Sequence, residues 1–346
     1  MIIESIILIG GLLLLVKGSD LFVKAAASTA KKVGVSEFVI GLTLIAVGTS
    51  LPELVSAIFA SIKQQSGLVL GNIVGANIAN MGLVIGIAAI LSIIKTKQET
   101  IERDGYILLF SGLLLLVFLY NGISRIEGVI FLLLYISYTI FLFERKTEMM
   151  RKYPFKEFLT YFLKFKYLGH FKKIFARNNI SSAKKKTKKN TKFPPSFTLK
   201  NVAVLTLSGL AVIIGAHYVV KEAVFFAMSL KVPPTVMGVL ISLGTTMPEM
   251  SVAITAARKG YSNIALGNSL GSCITNTLLV LGLAATISPL AVTEITSSYT
   301  APFMMLMIIL LLIFIRSEWR ITKKEGIILL ATYLGFLLWI LSKAVA

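Results

Sequence analysis

The chain has 346 residues, of which 56% are hydrophobic and only 15% charged, with a mean hydropathy of +0.84. A water-soluble fold of this length needs far more charged surface, so that class is excluded. The formal net charge of +19 would fit a nucleic-acid binder, but nearly half of the 35 lysines and arginines fall in one segment, 144–200, between two apolar halves. A cytoplasmic loop beside anionic lipid accounts for that run, so the expected partner is the bilayer and not a nucleic acid.

In chain order, apolar runs predict spans at 2–29, 38–62, 68–94, 106–120 and 127–143, then the basic loop 144–200. After the loop come 201–228, 235–257, 264–287, 299–315 and 325–341. Most reach, or nearly reach, the ~20 residues a helix needs to cross a bilayer, and none alternates as a barrel strand would. The N-terminal run shows no small-residue cleavage site and reads as the first span. The single Cys273 excludes a disulfide within the chain. Lys31, Lys32, Lys95, Lys97, Arg258, Lys259 and Arg316 fall on the side of the basic loop, whereas the opposite connections offer only Lys63, Arg125, Lys231 and Lys343. The positive-inside rule then places both termini outside and the loop in the cytoplasm of a multi-pass cell-membrane protein.

The two halves repeat one another. Gly48-Thr49-Ser50-Leu51-Pro52-Glu53 is answered by Gly244-Thr245-Thr246-Met247-Pro248-Glu249, and the block Gly71–Asn80 by Gly267–Asn276. Both blocks keep one offset, 249 − 53 = 196 and 268 − 72 = 196. Five spans is an odd number, so the second half enters the membrane from the opposite face. The expected fold is therefore an all-α polytopic membrane protein, about ten transmembrane helices in two inverted-topology repeats of five: 1–143, then the loop 144–200, then 201–346. That architecture is tied to alternating-access transport.

Glu53 and Glu249 each sit mid-span among apolar residues, where a carboxylate costs at least ~2.5–3.5 kcal/mol. One offset would be pairing with Lys17, Lys24 or Lys221. The other is convergence of the two carboxylates on a shared cation. Pro52 and Pro248 remove a backbone donor and loosen the preceding turn, and irregular backbone at membrane depth is tolerated where it lines a cavity. Carbonyls near Ala46 and Thr49, and near Ser242 and Thr245, would then join the hydroxyls of Thr49, Ser50, Thr245 and Thr246. Gly71 and Gly75, like Gly267 and Gly271, have the spacing that lets helices approach closely. Asn72, Asn80, Asn268 and Asn276 are candidates for cavity-facing oxygen donors or for groups that hold the ligands. Asn77 and Cys273 share one repeat position, which argues against a ligand role there.

Carboxylate, hydroxyl, amide and carbonyl make a hard-oxygen donor set. Calcium takes 6–8 such ligands in flexible geometry, whereas magnesium keeps its waters and softer metals favour Cys or His. Two glutamates neutralise one divalent ion or two monovalent ones, so Ca²⁺ and Na⁺ can compete for them. No cofactor is expected beyond these transported ions, and the oligomeric state is left open. Intramembrane hydrolysis is the alternative from another class. His170 and His217 lie far apart, no His-Glu-x-x-His is present, and no nucleophile with a base is visible, so an enzyme is not expected. A channel or lipid scramblase is the remaining alternative. His217 reads as a hydrogen-bonded helix residue.

These motifs resemble the two alpha-repeats of the cation/Ca²⁺ antiporter superfamily, most of all prokaryotic sodium/calcium exchangers, and Gly18-Ser19-Asp20 resembles that family's first helix. The resemblance implies ten helices, with the second, third, seventh and eighth around the ions and the long first and sixth sliding past them. It implies Glu53 and Glu249 as shared ligands, with Thr49 and Thr245 giving backbone oxygens. Ser50, Thr246 and Ser272 would match hydroxyls of the sodium sites, and Asn80 a polar residue of the third helix. Ala76 stands where relatives often have the serine seen here as Ser272, and Thr246 replaces a more usual serine. Asn276 stands where many, including potassium-dependent exchangers, have aspartate, and His217 lies near an often acidic position. Proton/calcium exchangers, the nearest alternative, carry a glutamate in the glycine–asparagine blocks, and neither block here has one.

Overall fold

The computed structural model describes residues 2–33, 36–98, 100–144, 154–165, 167, 199–229 and 244–345. In the first half these form α1 (Ile2–Val33), α2 (Glu37–Thr49), α3 (Leu51–Ile62), α4 (Ser66–Leu91), α5 (Tyr106–Phe118) and α6 (Arg125–Glu144). Then come α7 (Pro154–Leu163), α8 (Leu199–Ser229), α9 (Met247–Arg258), α10 (Ser262–Ile287), α11 (Thr296–Glu318) and α12 (Lys323–Val345). Six described helices are long and apolar enough to cross a membrane, and α2 with α3 makes a seventh as a span bent by 45°. The protein is thus an all-helical polytopic membrane protein. The only strands among the described residues, β1 (Ile94–Lys95) and β2 (Arg320–Ile321), pair antiparallel.

The offset seen in the sequence recurs in three dimensions. Helices α3 and α9 begin 247 − 51 = 196 residues apart, and α4 and α10 begin 262 − 66 = 196 apart. The contacts are reciprocal as well. Ile94 pairs with Ile321, and its counterpart Leu290 (290 − 94 = 196) bridges to Ile123. A Cβ on Gly326 would meet the Gly86 carbonyl at 2.8 Å, and one on Gly128 would meet that of Gly282 (282 − 86 = 196) at 2.8 Å. Element i touching j′ while j touches i′ is the pattern a twofold axis produces.

Helices α1 and α8 pack closely against one another. A Cβ on Gly18 would lie 3.1 Å from the Val212 nitrogen, and one on Gly215 would lie 2.5 Å from that of Leu15. The offset is again shared, 215 − 18 = 197 and 212 − 15 = 197. Close backbone approach at small residues is how helices associate in a solvent that gives no hydrophobic drive.

The structure departs from the sequence reading in two places. Within the segment expected to be a loop, α7 forms, with Phe155, Phe158, Leu159 and Phe162 packed on the core. Their i, i+3, i+4, i+7 spacing and a proline at the start of the helix are helix signals that the surrounding lysines obscured. The fourth span begins earlier than 106, because a π-helical segment Thr100–Gly105 runs into α5. The expected seventh span, 235–257, is described only from Gly244 onward, so its first part lies outside the described residues, as do Ser242, His170, Lys231 and most of 144–200.

The α1–α8 crossing gives a direct test. Gly215→Val inserts a side chain into backbone, and overpacking of this kind costs ~1–3 kcal/mol. Its melting midpoint in detergent should fall below that of the wild type, while Gly10→Val, where a Cβ meets nothing within 4 Å, should melt with the wild type.

Candidate cation site

The two glutamates sit at a matched pair of helix breaks. The backbone leaves helical geometry at Ser50 (φ −81°, ψ 8°) and at Thr246 (φ −87°, ψ 1°), and α3 and α9 start immediately after. Pro52 and Pro248 fall in the first turns, where a missing N–H costs least. They have no proton to give the carbonyls of Gly48 and Gly244, four residues back. Glu53 and Glu249 occupy the first turns of α3 and α9, so each carboxylate lies at the positive end of a helix dipole.

Both glutamates are buried, at 1% and 0% exposure, and no ion pair to either is found among the described residues. The lysine alternative fails on position: Lys24 pairs with Asp20 at 3.4 Å and Lys221 lies 3.8 Å from Glu222. The two carboxylates instead lie within electrostatic reach of one another. Ser50 Oγ donates to Glu249 Oε1 at 3.3 Å across the repeats, and Ser272 Oγ donates to the same oxygen at 3.4 Å. The Thr245 hydroxyl approaches Glu53, as that of Thr49 approaches Glu249.

The asparagines divide into two kinds. Thr49 Oγ1 donates to Asn268 Oδ1 at 3.2 Å, and Thr245 Oγ1 donates to Asn72 Oδ1 at 3.4 Å. These bonds are symmetry counterparts (245 − 49 = 196), so Asn72 and Asn268 fix the threonines of the opposite repeat. Asn80 and Asn276 are fully buried, and neither their oxygens nor their nitrogens have a partner among the described residues. The same holds for Oε2 of both glutamates. An unmade hydrogen bond on a buried polar atom costs ~1–3 kcal/mol, and the four unpartnered oxygens, two from carboxylates and two from amides, are a candidate donor set for a cation.

Two π-helical segments aim these amides. Asn80 opens Asn80–Val84 inside α4, and Asn276 is the second residue of Thr275–Val280 inside α10. Such bulges inside membrane helices recur at functional sites, and nothing in the residue pattern foretold them. Among the described residues there is no group of three or more His, Cys, Asp or Glu able to hold a metal. The charge available to a cation is that of two carboxylates, and the other donors are neutral oxygens. That set fits a hard cation held loosely enough to leave.

The remaining expectations sort as follows. The Ala46 carbonyl is not freed, since it accepts the Ser50 amide at 3.0 Å and the Thr49 hydroxyl at 3.3 Å. The proline's effect falls on Gly48 instead. Thr246 is buried at the break itself. Gly271 seats α10 on α2, where a Cβ would fall 2.7 Å from Ala46 Cβ. Gly75 is half-buried on α4, and a Cβ added at Gly71 would meet nothing within 4 Å. Asn77 donates to Thr277 at 2.9 Å and its carbonyl accepts from Cys273, which makes this position a seam between repeats. His217 is a helix residue, but its ring makes no hydrogen bond among the described residues. It lies exposed on α8, its ring edge-on to Tyr218 at 5.5 Å.

Fold and site together define a polytopic membrane protein with two buried carboxylates at matched helix breaks, a candidate cation site. The chain matches the sodium/calcium exchanger protein family over residues 4–144 and 200–342, and it belongs to that family. It is 48% identical over 342 residues to the sodium/calcium exchanger MaX1 of Methanosarcina acetivorans, an alignment spanning 97% of each chain. It is 28% identical over 344 residues to the inner membrane protein YrbG of Escherichia coli, covering 98% of this chain and 96% of that one. Among solved structures it resembles the sodium-calcium exchanger NCX_Mj soaked with Na⁺, with a TM-score of 0.77 and 27% identity, over 97% of this chain and 98% of the other.

Cation binding has a thermodynamic signature. Ligand at about 100 times its dissociation constant adds ~2.7 kcal/mol to a fold that binds it. Added Ca²⁺ and added Na⁺ should each raise the melting midpoint of the ion-depleted wild type. Glu249→Gln should lose both responses, and a full Na⁺ response in that variant would remove Glu249 from the sodium site.

Proposed function

We propose that the protein is a secondary active antiporter that exchanges Ca²⁺ for Na⁺ across the membrane by alternating access. The observation that carries the reading is the pair of buried, lysine-free carboxylates at symmetric helix breaks, ringed by hydroxyls and unpartnered amides. Glu53 and Glu249 are the shared ligands, and Thr49 and Thr245 contribute oxygens held in place by Asn268 and Asn72. Ser50, Thr246, Ser272, Asn80 and Asn276 complete the donor set. One Ca²⁺ balances both carboxylates, and Na⁺ ions displace it by occupying the same charges and the neutral oxygens beside them. Family membership and the names of the similar exchangers support the choice of ions.

The proposed topology is two inverted five-helix repeats, with both termini outside and 144–200 in the cytoplasm. It rests on the odd span count per half and on the distribution of Lys and Arg. Inversion gives the protein two nearly equivalent arrangements of the same contacts, one open to each side. Na⁺ is favoured over H⁺ because neither glycine–asparagine block carries a glutamate. Asn276, a neutral amide, leaves the site without a third carboxylate. The anionic lipid surface is the proposed neighbour of the basic loop.

Flux measurements test this reading. Proteoliposomes loaded with Na⁺ should take up ⁴⁵Ca²⁺, while K⁺-loaded vesicles and vesicles with only a pH gradient should not. Glu53→Gln should abolish uptake, and Na⁺-driven calcium flux surviving in that variant would refute the shared site. Asn276→Asp should retain Ca²⁺ binding and make uptake sensitive to pH or K⁺. An unchanged ion dependence would place Asn276 outside the ion path.

A further inference from the structure

The two repeats are symmetric in their ion site but not in how α1 and α8 are fastened. Asp20 on α1 reaches the far end of α9, where its carboxylate pairs with Lys259 Nζ at 2.5 Å and its backbone carbonyl accepts from the same nitrogen at 3.2 Å. One residue earlier, Ser19 and Ser251 share a hydrogen bond of 2.7 Å, with Ser19 fully buried. Together these bonds tie α1 to α9 along more than two helical turns of α9.

The counterpart positions are set by the offsets already found, 197 for the crossing helices and 196 for α3 and α9. Ser19 corresponds to Ala216 and Asp20 to His217; Ser251 corresponds to Val55 and Lys259 to Lys63. Every partner chemistry is lost there. A serine pair becomes alanine and valine, and an acid–base pair becomes two bases. Lys63 is exposed and in no ion pair among the described residues, and Val55 is 50% exposed. Lys221, the counterpart of Lys24, turns to Glu222 on its own helix. The packing agrees, because α1 lies along α9 whereas α8 makes no comparable contact with α3 among the described residues.

We propose that Asp20–Lys259 and Ser19–Ser251 form a one-sided latch that holds the α1–α8 pair against α9 and so sets which side of the exchanger rests closed. The proposal rests on the alternating-access reading. If the two access states exchange the roles of the repeats, the latch is made in one state and has nothing to replace it in the other. The closed end is the Lys259 end, which the charge distribution assigns to the cytoplasm. Asp20 and Lys259 are positioning residues, since neither is among the ion ligands. Their side chains are 40% and 22% exposed, so the pair alone shifts the equilibrium only about two- to fivefold.

Spin labels at Phe59 on α3 and Tyr218 on α8, both exposed, report the state by pulsed electron–electron distance measurement without requiring transport. The wild type should show mainly the long distance. Asp20→Asn should raise the short-distance population about threefold, and adding Ser19→Ala should raise it about tenfold. The charge swap of Asp20→Lys with Lys259→Asp should restore the wild-type distribution. His217→Asp, which builds an acid opposite Lys63, should favour the short distance with the native latch intact. In flux assays, Asp20→Asn should move the apparent Ca²⁺ affinities of the two sides in opposite directions, leaving the null-flux gradient unchanged. An unaltered distance distribution in Asp20→Asn, or a swap that fails to restore it, would overturn the latch. Because the distances are read without ion flux, either result stands apart from whether Na⁺ drives calcium exchange.

Discussion

The constraint on which the structure depends is two carboxylates held inside a membrane protein with no lysine or arginine paired to them among the described residues. Glu53 and Glu249 are tolerable because each begins a helix and receives hydroxyl donors, and because both face one space in which a cation can sit. Helix dipoles and hydroxyls offset part of the desolvation cost, but a buried charge needs a full opposite charge nearby. In the proposed exchange, a cation from solution supplies that charge. A resident lysine would make the site more stable and useless for carrying ions.

The rest of the fold follows from making that arrangement twice. A pseudo-twofold relation places each threonine of one repeat against an asparagine of the other, and each helix break beside its counterpart. The glycines at Gly267, Gly271, Gly128 and Gly326 let backbones approach closely enough for these short side chains to meet. Asn80 and Asn276 add neutral oxygens from π-helical turns, which widen the helix where a donor must project. In the proposed exchange, a cage of two carboxylates and neutral oxygens selects hard cations and still releases them.

Much of this was legible in the sequence. The blocks around Glu53 and Glu249 repeat at one spacing, and an acid after a proline in an apolar run has few explanations. Other features were invisible because they depend on distances between repeats. The bonds Thr49–Asn268 and Thr245–Asn72 join residues already under suspicion, yet only the folded chain shows that one asparagine pair positions and the other stays unpartnered. The π-helical turns have no compositional mark. Helix α7 was hidden by averaging charge over 144–200, which buried a four-residue apolar pattern under its lysines. At Ala46 the proline argument pointed to the right turn, but the Ser50 amide still bonds that oxygen, and the carbonyl that loses its amide partner is that of Gly48.

The central claim, that one pair of carboxylates serves both ions, is tested most directly by equilibrium binding of ⁴⁵Ca²⁺ to the purified protein at increasing Na⁺. The account predicts pure competition: calcium capacity stays constant, its apparent dissociation constant rises with Na⁺ more steeply than in direct proportion, and no complex holds both ions on the glutamates. Calcium affinity independent of Na⁺ would contradict it, because two cations that bind without excluding each other do not share Glu53 and Glu249.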